Sequence, residues 1–225
     1  IDGEIVIPNS IVSIDDYAFY YRVNVTSIKI SDSVTSIGCD AFNNCSSLTS
    51  VAFGNGVTSI GSSAFSDCSG LTSIAIPNSV TSIGMNTFYG CSGLTSITIP
   101  DSVTNIGNSA FSGCSGLTSV SIGNNVMTIE SHTFEDCCEL KTVTIGNSVM
   151  SIGYGAFKNC GNLTSITILG SVTSIDKYIF DGCKNLTRID FIGTIAQWNQ
   201  INKDSSWDSN SGLYTIYCTD GTINK

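Results

Sequence analysis

Charge is scarce in this chain, and positive charge scarcest: nine Lys and Arg stand against eighteen Asp and Glu in 225 residues, 12% charged in all. That is about half the usual share. With a net charge of −9, the shortage of basic residues argues against a nucleic-acid partner, whose phosphates need clustered Lys and Arg. It equally disfavours an anionic membrane surface. No apolar run approaches the ~20 residues of a membrane span. Histidine is down to one, His132, so any Ser-His-Asp triad would rest on a residue at an outward turn position. No Gly-x-Ser-x-Gly elbow surrounds a serine. No Gly-Lys-Ser/Thr makes a phosphate loop. Zinc sites want short paired cysteine spacings, and the only close pair here is the adjacent Cys137-Cys138. No cofactor, no metal and no catalytic residue is implied, and the chain reads as a non-enzyme. It opens Ile1-Asp2-Gly3-Glu4, without an initiator Met or a signal-peptide pattern, as a mature or excised piece of a longer protein would.

What the chain does have is a repeat. Leu48, Leu71, Leu94, Leu117, Leu140, Leu163 and Leu186 follow one another at intervals of 23 residues, with Val25 heading the column. Eight phenylalanines keep the same step from Phe19 to Phe180, and seven cysteines keep it from Cys45 to Cys183, with Arg22 in their first place. Each unit has a physical reading. In Leu71-Thr72-Ser73-Ile74-Ala75-Ile76-Pro77 the apolar residues alternate with small ones, the period-two pattern of a half-buried strand. Pro77 and Asn78 end it. Val80 to Ile83 is a second short extended stretch. A glycine column (Gly38, Gly61, Gly84, Gly107, Gly153) is expected to supply a turn at positive φ, although Asp15, Glu130 and Asp176 share it. Ala64, Phe65, Cys68 and Leu71 then fall at helix-like spacing, which predicts a short helical or 3₁₀ turn. One unit cannot enclose its own apolar residues, but stacked units bury each other. Eight units with strands ~4.8 Å apart make a rod roughly 38 Å long.

The motifs Leu-x-x-Ile-x-Ile-Pro and Val-Thr-x-Ile-Gly-x-x-Ala-Phe-x-x-Cys, repeated over residues 1–192, resemble the BspA-like, treponemal-type leucine-rich repeats. The tail, with Gly193-Thr194-Ile195-Ala196-Gln197-Trp198 and Tyr217-Cys218-Thr219-Asp220-Gly221, resembles family members as well. The resemblance implies a leucine-rich-repeat solenoid, mostly β, with short parallel strands in a right-handed rod or shallow arc. It also implies a secreted or cell-surface location, and in some members adhesion to host-matrix proteins or other microbes. It carries no ligand-contacting motif.

Residues 193–225 break the period and hold both tryptophans; they are expected to cap the last repeat. The N-terminal strand has an open edge, expected either where further repeats have been trimmed away or where a second copy pairs to form a dimer. The cysteine column reads as a ladder of buried thiols packed as small hydrophobes, while Cys39, Cys138 and Cys218 lie off it with their pairing open. The acidic group Glu130, Glu135, Asp136 and Glu139 lacks an EF-hand pattern and reads as a solvated edge. Sequons stand at Asn24, Asn44, Asn162 and Asn185.

The strand residues between the buried ones should form one exposed sheet face, and it is the candidate binding surface: Ser73, Ser96, Thr98, Ser119, Ser121, Thr142, Thr144, Ser165, Thr167, Arg188 and Asp190. Between Phe42 and Ile129 the only charges are Asp67 and Asp101, so the middle of the rod offers hydroxyls. A second hydroxyl lattice is expected along Thr35/Ser36, Thr58/Ser59, Thr81/Ser82 and Thr104/Asn105. Such a surface suits weak, multivalent contact with a protein partner, and a structural stalk presenting another domain is the alternative.

Overall fold

A computed structural model describes residues 3–225; Ile1 and Asp2, which open the N-terminal segment, lie outside the described residues. The chain winds into a β-solenoid of about nine turns. Each turn lays one extended stretch on each of two faces, where the strands pair in parallel from turn to turn. The first sheet takes the Leu-x-x-Ile-x-Ile stretch, from Gly3–Val6 and Val25–Lys29 to Ser165–Leu169 and Arg188–Ile192. The second takes the two-residue strands, from Ser13–Ile14 to Ser174–Ile175. Apart from a shift between Gly3 and Glu4 at the start of the first strand, registers run at a constant 23 residues from unit to unit: Val120 faces Ile97 on one side and Val143 on the other. A one-residue shift would turn the inward Ile and Val to solvent.

Stacking at a constant 23 residues puts like on like, and the phenylalanines show the consequence. From Phe19 to Phe180 each ring lies over the next, with centroids 5.1 Å apart for Phe19–Phe42 and 6.1 Å for Phe157–Phe180. Central pairs such as Phe88–Phe111 are stacked within 13°. Offset aromatic pairs add about 0.5–1.5 kcal/mol each to the area they bury. The leucine column and the seven column cysteines are fully buried beside them.

The segment from Ala64 to Leu71 turns without any helix. Amides alternate between a local partner and the next unit: Cys68 N–H donates to Phe65 O at 3.3 Å, whereas Phe65 N–H donates to Thr87 O at 2.8 Å. Two left-handed residues per turn make this possible. They form columns of their own, Tyr17, Asp40, Ser63, Asn86, Ser109, His132, Gly155 and Tyr178 in one, and Tyr21, Asn44, Asp67, Gly90, Gly113, Asp136, Asn159 and Gly182 in the other. Helical spacing in the sequence therefore reflects stacking of the turn, not a 3.6-residue spiral.

This corrects the reading of the glycine column. Gly38, Gly61, Gly84, Gly107 and Gly153 do not have positive φ. They are glycines because the backbone of the preceding unit is against them: a Cβ on Gly107 would sit 2.5 Å from Met85 N, and one on Gly84 2.6 Å from Ser62 N. The positive-φ positions lie two and six residues further on, where Asn, Asp and Ser serve alongside Gly.

The ladders are interrupted at a few junctions. Ser73–Ala75 carries no strand pairing, and Thr142–Thr144 does not pair with Ser165–Leu169, so the first sheet falls into three blocks. The second sheet breaks once, between Asn105–Ile106 and Thr128–Ile129. Met127 and Glu130 sit there without the inter-unit amide bonds that Met150 N–H makes to Met127 O and Gly153 N–H to Ile129 O.

The tail continues the winding. Asn202 pairs with Ser174 and Thr215 with Arg188, offsets of 28 and 27 residues in place of 23. The extra length holds the helix Ile195–Gln200, capped at Thr194 by a reciprocal Thr194/Gln197 capping box. Trp207 meets the last ring of the stack, Phe180, edge-on at 6.0 Å, and Trp198 and Tyr214 pack around it. A final strand, Gly221–Asn224, folds back antiparallel on Thr215–Cys218.

Candidate interaction surfaces

On the first sheet, the candidate residues stand where alternation places them. Ser73, Ser96, Thr98, Thr142, Thr144 and Arg188 are exposed, and Ser119, Ser121, Ser165, Thr167 and Asp190 half-buried. None of the nine hydroxyls makes a hydrogen bond to another described residue. The register aligns them in rows, with Ser96, Ser119 and Thr142 in one and Thr98, Ser121 and Thr144 in the next.

A different set of threonines looks equally available in the sequence but is committed. Thr118 Oγ1 donates to Thr95 O at 2.9 Å, and Thr49 Oγ1 to Thr26 O at 2.9 Å. In the second sheet Thr58 Oγ1 donates to Thr35 O at 3.0 Å, and Thr35, Thr81 and Thr104 do the same one unit apart. The expected second lattice is thus partly internal cross-bracing. Its threonine hydroxyls are spent on carbonyls of the preceding unit.

At the C-terminal end the face changes character. Arg188 grips Asp190 with Nε and Nη2, at 2.7–2.9 Å, and its Cζ lies 4.1 Å from the centroid of Tyr217. Planar guanidinium suits both contacts. Asp190 holds the Arg188 guanidinium above its ordinary pKa, chiefly by hydrogen bonding. Tyr217 belongs to the aperiodic tail, and only the pairing of Asp190 with Tyr217 across neighbouring strands brings it to this surface.

One further charged cluster links neighbouring units. Glu135 takes Lys158 Nζ at 2.9 Å on one oxygen and faces His132 Nδ1 at 2.8 Å on the other. Asp136 accepts from Asn159 and Glu139 from Asn162. The Glu135 interaction raises the Lys158 pKa. His132 packs edge-on against Tyr154, 5.0 Å between centroids. No group of three or more His, Cys, Asp or Glu among the described residues is placed to hold a metal ion.

All ten cysteines are free thiols. The seven of the ladder have their Sγ 3.1–3.3 Å from the carbonyl of the preceding unit's phenylalanine, Cys91 to Phe65 and Cys114 to Phe88 among them. Off the ladder, Cys138 is exposed while Cys39 and Cys218 are half-buried.

The repeat matches the family model for the BspA type leucine rich repeat region over residues 3–118 and 104–219. The chain belongs to the BspA-type leucine-rich-repeat family. This BspA-type chain resembles the leucine-rich-repeat protein of Treponema pallidum at 31% identity and a TM-score of 0.67, over 71% of this chain and 77% of that one. It resembles a leucine-rich-repeat protein of Bacteroides ovatus at 29% identity and a TM-score of 0.66, over 96% of this chain but 63% of that one. A leucine-rich-repeat protein of Eubacterium ventriosum shares the fold at 22% identity and a TM-score of 0.62; this chain spans 62% of its length. No curated protein matches the chain. As a leucine-rich-repeat solenoid it is a protein-interaction architecture, and no helix among the described residues is long and apolar enough to cross a membrane.

Proposed function

We propose that the chain is a non-catalytic adhesion module of a bacterial surface or secreted protein, and that it binds a protein partner through the exposed face of the first sheet. The observation that carries this is the contrast between two sets of hydroxyls. Threonines that look alike in sequence are bonded inward, while the candidate strand hydroxyls from Ser73 to Thr167 have no hydrogen-bond partner among the described residues. The face ends on Arg188 and Tyr217, residue types that dominate binding energy at protein interfaces. Host-matrix proteins, host cell-surface proteins and the surfaces of other microbes are the partners this suits, and the location is extracellular. The outer edge of Gly3–Val6 leaves backbone groups for a second copy, which sedimentation would read as a dimer.

The test is a binding screen of the purified chain against matrix proteins and host cells, beside a Thr98→Lys/Ser121→Lys/Thr144→Lys variant and Arg188→Ala. Saturable binding that both variants weaken supports an adhesive face. A stalk is the second reading, favoured by the near-identity of the central repeats, as in Leu71-Thr72-Ser73-Ile74-Ala75-Ile76-Pro77 and Leu94-Thr95-Ser96-Ile97-Thr98-Ile99-Pro100. Absence of binding across the panel selects it.

A further inference from the structure

The first turn of the coil carries three tyrosines where the other units have mostly small or polar residues. Tyr17 stands in the column of Asp40, Ser63 and Asn86, which takes a ring again at His132 and at the half-buried Tyr178, and Tyr21 in that of Asn44, Asp67 and Gly90, which holds no other ring. Both columns are left-handed, and Tyr17 and Tyr21 adopt φ of 58° and 60°. Gly, Asn and Asp take this conformation readily, whereas a bulky side chain in it is an outlier. Burial does not compensate. Tyr17, Tyr20 and Tyr21 are 60%, 46% and 63% exposed, and none of their hydroxyls has a hydrogen-bond partner among the described residues. The rings form one patch, Tyr17–Tyr20 edge-on at 5.8 Å and Tyr20–Tyr21 at 6.2 Å. A sequence that accepts backbone strain to display aromatic rings in water is spending stability on something other than folding.

The surroundings indicate the ligand. Asp15 and Asp16, both exposed, immediately precede Tyr17; one oxygen of Asp16 accepts the Cys39 N–H at 2.6 Å, which leaves its other oxygen and the Asp15 carboxylate outward. Asp40 lies one unit along the same column as Tyr17, and Arg22 follows Tyr21 in the chain. Tyrosine faces attract ammonium and guanidinium groups, and the adjoining carboxylates add charge of the complementary sign in a chain of net charge −9. We infer that the Tyr17/Tyr20/Tyr21 patch, with Asp15 and Asp16, is a second binding surface that takes a Lys- and Arg-bearing segment of a partner protein. It lies on the turn edge, apart from the first-sheet face, and stands or falls independently of that reading.

The test uses the whole chain and a short immobilised Lys/Arg-rich peptide, with a Glu-rich peptide and a neutral maltooligosaccharide as comparison probes. The basic peptide should bind saturably and lose affinity with rising salt. A Tyr17→Asn/Tyr21→Asn variant should bind at least tenfold more weakly while its melting temperature holds or rises, because Asn suits the left-handed positions better. Asp15→Asn/Asp16→Asn should weaken binding and flatten the salt dependence. The inference is overturned if the basic peptide does not bind or if the tyrosine variant binds it unchanged. It is equally overturned if the acidic peptide or the saccharide binds as tightly, or if the tyrosine variant melts lower, which would make the rings structural.

Discussion

Cys114 Sγ–H donates to the carbonyl oxygen of Phe88, one unit back, at 3.2 Å. The same bond recurs along the ladder from Cys45 to Cys183, and it explains why a thiol occupies this column. The site is fully buried and faced by a carbonyl that a weak donor can satisfy.

Thiol chemistry should therefore divide sharply. In the native chain Cys138 is expected to react with iodoacetamide within minutes, and the seven ladder thiols only after denaturation. Mass spectrometry of timed quenches reads this; early labelling of Cys91 or Cys114 would contradict the buried ladder.

Alkaline pH should unfold the chain in a way that follows from the same burial. Desolvation raises the ladder thiols well above their ordinary value of 9.0, and pushes Cys183 up to about 12. The unfolded chain thus loses these protons first. Stability from this source is complete below about pH 9 and declines as pH climbs towards the folded values, by up to about 1.4 kcal/mol per pH unit for each thiol. Urea midpoints measured from pH 7 to pH 11 should fall, and less steeply in Cys114→Ala.

Glycines of the two kinds should answer differently to substitution. Gly84→Ala places a methyl 2.6 Å from Ser62 N, and a loss of about 1–3 kcal/mol is expected from overpacking against backbone. Gly113 has φ 71° and nothing nearer than 3.4 Å to its added Cβ. Gly113→Asn should stay within about 1 kcal/mol, since Asn44 and Asn159 already fill that column. Chemical denaturation of both variants decides it.

Met127 replaces a threonine in the column of Thr58, Thr81 and Thr104 and stands where the second sheet opens. Hydrogen exchange at the Met127 and Glu130 amides should be faster than at Met150 and Gly153, which keep their inter-unit bonds. Met127→Thr restores a hydroxyl able to reach Thr104 O and should gain about 0.5–1.5 kcal/mol. Unchanged exchange and stability would place the weakness of this junction elsewhere.

Much of the fold was legible because repetition multiplies a weak signal. A single Leu-x-x-Ile-x-Ile stretch is ambiguous between strand and buried helix, but successive copies at constant spacing demand stacked parallel strands. The turn was harder. Ala64, Phe65, Cys68 and Leu71 have helical spacing, and nothing local in Ser63 or Asp67 declares a left-handed residue. Tyr17 and Tyr21 were missed for the same reason: their strangeness appears only when their columns are known to be left-handed. Tyr217 had no period to place it.

The sequence by itself determined the coil, its length per turn and its core, because inward apolar positions recur at a fixed interval and only one stacking buries them all. Only the tertiary structure decided which hydroxyls are free. Whether Thr58 braces a carbonyl or Thr144 faces outward depends on where the neighbouring unit's backbone lies, and residues 23 apart meet only after the chain has wound once. The tertiary structure likewise decided that Gly84 is glycine for want of space and Gly113 for its φ, because one requirement comes from a neighbour and the other from the residue's own backbone.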